Sequence, residues 1–433
     1  MKFSVSVLLF LLIVTFASLA STRRRQEKRR NQMGRRALPG VIGTLQEPTT
    51  RQTRRPGRRR RTTLAKPVDM GEDLLDALEL VMSNPRARQQ WKARYGDKSL
   101  ALKLANYCNK RYLEYHRIER YMTAVSYFFG DIAEHTTIGH TYENRPIKVL
   151  KLGKSTTNRR SHNAQKPAIV LEAGTHAREW IPISTAIYIS NKLLSGSAET
   201  NRLLEQIDWY ILPVANPDGY EYSHTGDVDP WRRNWRKTRR LNANGCYGVD
   251  LNRNYDYAFG SGMTSDEPCS EIYKGLHPFS ESESKAVDDF VKSLQGRVKA
   301  YFEMHSHGDK WFLPYSDKPG NYHENYEELK TIANNAASAI SGVNGSNYQI
   351  GTAAEILYPV GGCTADYMAK EIGVPYSFGL EIGPKGLSDV FEFVRPVDDI
   401  PVRGEEIWKG VEVVANTVLS RSGGQKPRRR RKG

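Results

Sequence analysis

The most constraining feature of the sequence is a short apolar run, Pro167–Leu171, that leads into a polar stretch and then into an apolar segment of helical periodicity beginning at Pro182. Such a run is typical of a buried strand. Comparable runs at Trp209–Val214, Val298–Met304 and Tyr376–Ile382 are separated by segments with helical patterns. Alternating strands and helices predict an α/β fold, a mixed and largely parallel twisted sheet with helices on both faces.

The remaining patterns complete a coarse map of the chain. A box of the type Ser-x-x-Glu at Ser280–Glu283 predicts a helix start. The long, aromatic and irregular segment Trp231–Gly262 has the length of a functional loop. Further elements are a predicted strand at Ile147–Leu152 and predicted helices at Met70–Met82, Ala87–Tyr112, Tyr121–Glu134, Pro182–Leu194, Glu324–Ser341 and Gly404–Leu419.

The chain of 433 residues divides by composition into five segments. Residues 1–20 have the charged start, apolar core and small-residue end of a secretory signal peptide. We therefore expect a secreted, extracellular protein that does not span a membrane. Residues 21–66 form a basic segment expected to be disordered, 67–112 a helical pro-region, 113–420 the folded body, and 421–433 a second basic, disordered tail. A helical extension that stays attached is an alternative interpretation of 67–112.

The basic charge lies in the two tails rather than in the body. The formal net charge of the whole chain is +16, whereas residues 21–66 carry +14 and residues 421–433 carry +7, which leaves −5 for everything else. Nucleic-acid binding is therefore disfavoured, because the folded body offers no excess of basic residues. In a secreted chain the arginine runs more plausibly mark cleavage by a processing protease, or contact with anionic glycans.

Three residues that could bind a metal follow predicted strands. His176 and Glu179 are three residues apart just after the strand ending at Leu171, and His305 follows the strand ending at Met304. Ligands in parallel sheets collect beyond the carboxyl ends of strands. A catalytic zinc commonly takes three protein ligands of these types and keeps a fourth position open.

Further motifs follow in order along the chain. They are Trp235-Arg236-Lys-Thr-Arg239, Asp250-Leu-Asn252-Arg253, His305-Ser-His, Tyr358 and Phe378-Gly-Leu-Glu381. In kind, order and spacing they resemble the secreted zinc carboxypeptidases of the carboxypeptidase A/B type, over about residues 113–420. The resemblance implies a metallocarboxypeptidase with one Zn²⁺ per chain, bound by His176, Glu179 and His305, that acts on the C-termini of peptides or proteins.

The resemblance also implies the other roles in the site. Glu381 is the expected general base toward the attacking water, and Arg236 the expected group that polarises the scissile carbonyl. Asp250 is expected to orient His176. Residues expected to contact the substrate are Asn252 and Arg253, which would hold its terminal carboxylate, Tyr358, which would close over it, and the flanking Arg178 and Arg239.

The sequence departs from the family pattern at the pocket for the terminal side chain. Ala365 stands where members specific for Lys or Arg carry Asp, which predicts a preference for apolar or aromatic terminal residues. Ser316 instead agrees with the basic-specific members, and Asp366 turned inward would also oppose an apolar preference. The Gly-Gly pair after Tyr358 comes one place early, which leaves Cys363 near the pocket.

The four cysteines permit three pairings. Spacing, the oxidising compartment and the resemblance together favour a Cys246–Cys269 disulfide, and the state of Cys108 and Cys363 stays open. A non-catalytic, matrix-associated binder is the competing function, although the retention of the metal ligands, both arginine groups and Glu381 favours an enzyme.

Overall fold

A computed structural model describes residues 74–154, 165–225, 229–384, 386 and 392–423. The predicted signal peptide, basic segment 21–66 and most of the tail 421–433 lie outside these residues.

Twelve helices and eight strands are found in the described part of the chain, together with a single 3₁₀ turn at Leu251–Arg253. None of these helices is long and apolar enough to cross a membrane. The strands are β1 Ala133–His140, β2 Pro146–Leu152, β3 Ala168–Ala173, β4 Asp208–Leu212, β5 Val298–His305, β6 Lys310–Leu313, β7 Gln349–Thr352 and β8 Tyr376–Glu381. The helices are α1 Leu74–Met82, α2 Pro85–Cys108, α3 Tyr115–Phe128, α4 Trp180–Leu193, α5 Ala198–Gln206, α6 Pro217–His224, α7 Pro230–Arg233, α8 Ser282–Ser293, α9 Tyr326–Asn344, α10 Ala353–Ile356, α11 Thr364–Lys370 and α12 Asp399–Gly423.

The eight strands form one mixed sheet in the order β1-β2-β4-β3-β5-β8-β6-β7. The central pairs β4/β3, β3/β5 and β5/β8 are parallel, and so is the edge pair β6/β7. The pairs β1/β2, β2/β4 and β8/β6 are antiparallel. The mixed, largely parallel sheet expected from the sequence is confirmed. Its parallel centre brings the carboxyl ends of β3, β5 and β8 to one edge.

Each central strand is buried on both faces, as parallel sheets require. From Ala300 onward the side chains of β5 alternate between two cores: Ala300, Phe302 and Met304 belong to one, and Tyr301 belongs to the other. Val298 also belongs to the second core, because the pairing with β3 shifts register between Val298 and Ala300. The second face changes from apolar to charged toward the carboxyl end, because Tyr301 is followed on that face by Glu303 and His305. The functional side chains therefore emerge from one face, at one end of the strands.

The described helices of segment 67–112 pack on the other face. Leu78 of α1 and Leu104 of α2 are completely buried and belong to the same core as Phe302 and Phe378. Helix α2 is interrupted at Gly96, where φ is 64°. Both interpretations of this segment, a removable pro-region and an attached extension, stay predictions.

Two local expectations are wrong. The helix expected to reach Glu134 ends at Phe128, and β1 begins at Ala133 as an edge strand that the weakly alternating sequence does not indicate. The expected capping box also does not form, and α8 begins at Ser282. The side chain of Glu281 is engaged instead by the hydroxyl of Thr238, at 2.9 Å.

One disulfide lies within the described residues, and it joins Cys246 to Cys269. It links the irregular segment that follows α7 to a second loop, and the two cysteines are 23 residues apart in the sequence. Cys108 and Cys363 are both buried and unpaired.

Candidate active site

Two strand ends bring the predicted metal ligands together. His176 and Glu179 lie in the turn between β3 and α4, and His305 is the last residue of β5, the parallel neighbour of β3. All three side chains are at least 95% buried. One possible ligand atom from each lies within 4.8 Å of the others.

The three side chains fit one divalent cation. Without an ion, the oxygens of Glu179 contact both histidines through Nδ1, at 2.8 Å for His176 and 3.1 Å for His305. Although burial opposes ionisation, the charge and hydrogen bond of His176 lower the pKa of Glu179. A deprotonated carboxylate between two imidazole nitrogens is the donor set of a catalytic zinc site.

A second carboxylate orients His176. The far nitrogen of the ring, Nε2, lies 3.1 Å from Asp250 Oδ1. Asp250 is completely buried, and its other oxygen accepts a hydrogen bond from Arg236 Nε at 2.9 Å. Although burial opposes it, the charges of Arg236 and Arg253 hold the pKa of Asp250 well below its usual range. The predicted orienting contact is therefore present in the structure.

His305 has an equivalent partner that the sequence analysis missed. Its Nε2 lies 2.7 Å from Glu303 Oε1, and Glu303 Oε2 accepts a hydrogen bond from the backbone N–H of Ala365 at 2.9 Å. Glu303 was detectable as a carboxylate in an otherwise apolar strand. Because it stands two residues before His305, its side chain has to point to the same face of the sheet.

Glu381 lies beside the metal ligands. It ends β8 and is paired in register with His305 on the neighbouring parallel strand. Its Oε2 is buried and has no hydrogen-bond partner among the described residues. Burial and the negative charge of Glu179 raise the pKa of Glu381 to about 8. A cation bound by the neighbouring ligands would lower that pKa, because an opposite charge nearby favours the ionised carboxylate.

These residues open onto one pocket of about 360 Å³. Its walls carry the metal-ligand set, several predicted substrate contacts and a few small or apolar side chains. Lining residues include His176, Glu179, His305, Glu381, Arg178, Arg236, Asn252, Arg253, Tyr358, Glu303, Ser316, Cys363, Ala365, Asp366 and Gly379. None of the lining residues comes from the described segment 74–112.

A model of the family described as zinc carboxypeptidase matches residues 118–410. The chain belongs to the zinc carboxypeptidase family. It is a metallocarboxypeptidase, a hydrolase that acts on the C-terminal peptide bond and whose family binds one Zn²⁺. When bound, the zinc supplies Lewis-acid chemistry, and His176, Glu179 and His305 are the residues that would hold it.

Relatives of this carboxypeptidase carry names of both the A and the B type. Carboxypeptidase B of Astacus astacus is 36% identical over 71% of this chain and 97% of its own length. Carboxypeptidase A2 of Rattus norvegicus is 35% identical over 72% of each chain.

Solved structures of relatives have the same fold. The structure of carboxypeptidase A from Helicoverpa armigera is 31% identical, with a TM-score of 0.65 over 72% of this chain and 75% of its own. Bovine thrombin-activatable fibrinolysis inhibitor, solved in complex with tick carboxypeptidase inhibitor, is 31% identical, with a TM-score of 0.64 over 72% of this chain and 99% of its own.

Most of the predicted substrate contacts line the pocket of the carboxypeptidase. Arg253 is 98% buried, and its Nη2 has no hydrogen-bond partner among the described residues. Asn252, Arg236, Tyr358 and Arg178 line the same pocket. Burial and the nearby charge of Arg236 lower the pKa of Arg178.

Arg239 does not line this pocket. Its guanidinium instead stacks 3.8 Å from the ring centre of Tyr222 and 4.6 Å from that of Trp235. This is a cation–π arrangement between the loop that follows α7 and helix α6. Its role as a substrate contact stays a prediction.

The pocket around Ala365 is more acidic than Ala365 alone suggests. Ala365 lines the pocket, but so do Glu303 and Asp366. Asp366 is turned inward, and its Oδ2 accepts a hydrogen bond from the backbone N–H of Ser316 at 2.7 Å. Two buried carboxylates therefore surround the position on which the expectation of an apolar pocket rested.

Proposed function

We propose that this protein is a secreted carboxypeptidase that removes one residue at a time from free C-termini, with Glu381 as the general base. The observation that carries the proposal is the position of Glu381. Its carboxylate lies beside His305, has an oxygen without a hydrogen-bond partner among the described residues, and shares a pocket with the buried guanidinium of Arg253.

The binding step rests on Arg253 and Asn252. The guanidinium of Arg253 is fixed by two hydrogen bonds, from Nε to the carbonyl of Met263 at 2.7 Å and from Nη1 to the carbonyl of Asn252 at 2.8 Å. This leaves Nη2 to donate to a carboxylate, which matches guanidinium geometry well. A free α-carboxylate is what distinguishes a chain terminus from an internal peptide bond.

The chemical step rests on Glu381 and Arg236. Glu381 takes a proton from the attacking water as the new C–O bond forms, and it then delivers that proton to the leaving nitrogen as the C–N bond breaks. Arg236 is held by Asp250 through Nε and Nη2, so that its charge stays in the pocket beside the ligand set. From there it stabilises the negative charge that develops on the carbonyl oxygen.

Replacement of the base tests this proposal. Glu381→Gln should keep the fold and the zinc content but lower kcat/KM on the order of 10²–10⁴-fold, the usual contribution of a positioned acid–base group. The matched control is Glu371→Gln, a change at an exposed glutamate outside the pocket. Turnover in Glu381→Gln equal to the wild type, at equal zinc content, contradicts the assignment of the base.

The side chain that enters the pocket is a separate question. Ala365 by itself supports an apolar or aromatic terminal residue. Without an acidic residue at this position, a buried ammonium group of the substrate would have no partner of opposite charge. Glu303 and Asp366 line the same pocket and favour a basic residue.

Secretion and the use of the basic segments complete the proposal. The pattern of residues 1–20 supports export. The arginine runs of 21–66 support cleavage by a processing protease, and the tail 421–433 supports contact with anionic glycans. Deletion of residues 424–433 should leave turnover of small peptides unchanged and weaken retention on heparin in a salt-dependent way. Unchanged retention contradicts the glycan contact.

A further inference from the structure

We propose that Glu303 is the residue that selects the terminal side chain of the substrate, and that it selects for a cation, a terminal lysine or arginine. The inference rests on the proposed carboxypeptidase function and deepens it. The choice of the terminal side chain, which the sequence suggested for residue 365, is thereby assigned to Glu303 on β5.

The carboxylate of Glu303 lines the pocket beside residue 365. Its Oε2 is 2.9 Å from the backbone nitrogen of Ala365, and its Oε1 is 2.7 Å from His305 Nε2. The side chain therefore spans from the metal ligand to residue 365 itself. It places a negative charge against the position where basic-specific members of the family carry Asp, but it does so from a different strand.

The pocket that Glu303 lines carries several small residues. The residue paired with Glu303 on β8 is Gly379, which has no side chain and lines the same pocket. A Cβ at Gly379 would lie 3.3 Å from the ring of Phe312, which forms one wall of the pocket there. Ser316, Cys363 and Ala365, which also line it, are all small. A long, thin side chain can therefore approach the carboxylate along these small residues, beside the ring of Phe312.

Glu303 has no lysine or arginine partner among the described residues. Its one ion-pair contact there is with His305, and neither lysine nor arginine bonds to it or to Asp366. Burial and the negative charge of Glu303 raise the pKa of Asp366 to about 8. Asp366 therefore holds its proton below that pH, and the carboxylate of Glu303 is the other acidic group beside Ala365 in the pocket.

This charge balance reverses the expectation drawn from Ala365. An apolar terminal side chain would fill the pocket and remove water from a carboxylate that has no lysine or arginine beside it, which is costly. An ammonium or guanidinium group would replace that water with an ion pair. The pocket is therefore matched to a basic residue.

The test compares peptides that differ only in the last residue. We expect wild-type kcat/KM for terminal Lys or Arg to exceed that for Leu, Phe or norleucine, the neutral analogue of lysine, by at least about tenfold, a ratio that corresponds to ~1.4 kcal/mol. Glu303→Gln should reduce that ratio at least about tenfold, with zinc content unchanged.

Glu172→Gln is the matched control. Glu172 is paired in register with Glu303 on the adjacent strand β3 and is equally buried, but it does not line the pocket. Its removal should leave the ratio unchanged. If Glu303 only orients His305, Glu303→Gln lowers turnover of every peptide by the same factor, and the proposal is wrong.

Two further outcomes separate this proposal from the proposed function. A wild-type enzyme that releases terminal Leu or Phe faster than Lys overturns the role of Glu303 and leaves the carboxypeptidase function intact. If no terminal residue is released, or if Glu303→Gln does not fold, calorimetric binding of free L-lysine and L-leucine to the zinc-loaded wild type decides. Lysine should bind at least about tenfold more tightly, and equal binding contradicts the proposal.

Discussion

The two histidines of the metal site have the same local arrangement but opposite charge surroundings. Each presents Nδ1 to Glu179 and Nε2 to a second carboxylate, Asp250 for His176 and Glu303 for His305. Asp250 does not line the pocket, and it forms an ion pair with Arg236. Glu303 bonds to a backbone N–H and lines the pocket.

The comparison separates two uses of a carboxylate next to a metal ligand. Where cations already surround it, as around Asp250, the carboxylate holds a histidine and an arginine in place and is closed to ligands. Where no arginine or lysine of the described part of the chain contacts it, as around Glu303, the carboxylate keeps the capacity to bind a cationic ligand. Orientation of a histidine requires only a hydrogen-bond acceptor. This role alone does not explain why the carboxylate of Glu303 lines the pocket.

The largest expected effect is at Glu179, whose carboxylate contacts both His176 and His305. Among the residues that the structure describes, Glu179 is the only carboxylate that contacts both histidines, so a purified Glu179→Ala variant should lose its zinc, which we expect at about one per chain in the wild type. Metal analysis after dialysis measures this. Wild-type zinc content in the variant would remove Glu179 from the site.

The free energy of unfolding should fall by different amounts when the two orienting carboxylates are replaced. Asp250→Asn leaves the buried charge of Arg236 without its partner, so the free energy of unfolding should fall by about 3–5 kcal/mol. Among the described residues Glu303 has an ion-pair contact with His305 and none with lysine or arginine, and a glutamine at this position keeps a hydrogen-bonding side chain, so Glu303→Gln should lower that free energy by less. Urea unfolding of the zinc-free proteins measures both values, and equal losses would contradict the difference in charge balance.

A smaller effect is expected when the charge is moved within the pocket. In the Glu303→Gln background, Ala365→Asp should restore a preference for terminal lysine of at least about tenfold, or ~1.4 kcal/mol. In the wild type the same change should add less, because two adjacent carboxylates oppose each other's ionisation. The four proteins form a double-mutant cycle on kcat/KM. Equal gains in the two backgrounds would show that residue 365 acts independently of Glu303.

The smallest effect is a pH dependence at Asp366. Because its pKa is raised to about 8, the folded protein holds a proton that the unfolded chain releases near pH 4. Stability from this group is present at low pH and is lost as pH rises toward 8, by less than about 1.4 kcal/mol between pH 6 and 7. Asp366→Asn should remove this slope. A slope equal to that of the wild type would assign the effect to another group.

The sequence predicted the parts of this structure that depend on short-range patterns. Apolar runs placed β3, β5 and β8 within a residue or two, and the predicted metal ligands and Glu381 lie at or just beyond the ends of these strands. Strand β1 was missed because its side chains alternate only weakly, as at the exposed edge of a sheet, and its position is set by pairing with β2.

The acidity of the pocket was missed for a different reason. Glu381 was identified through the family resemblance, and a carboxylate in an apolar strand is also costly to bury without a purpose. The same reasoning applies to Glu303, but its partner Ala365 lies 62 residues away. Which residue of a pocket carries the charge depends on such contacts between distant elements. A position-by-position comparison at residue 365 alone does not reveal it.

The most direct test of the central claim is a pair of peptides that differ only at the C-terminus, one with a free α-carboxylate and one with an amide. If Arg253 and Asn252 bind the terminal carboxylate, the zinc-loaded enzyme should release one amino acid at a time from the peptide with the free α-carboxylate. It should leave the amidated peptide intact. Mass spectrometry of the products over time measures both. Equal cleavage of the two peptides, or cleavage at an internal bond, would contradict the assignment of this pocket as the site of a C-terminal exopeptidase.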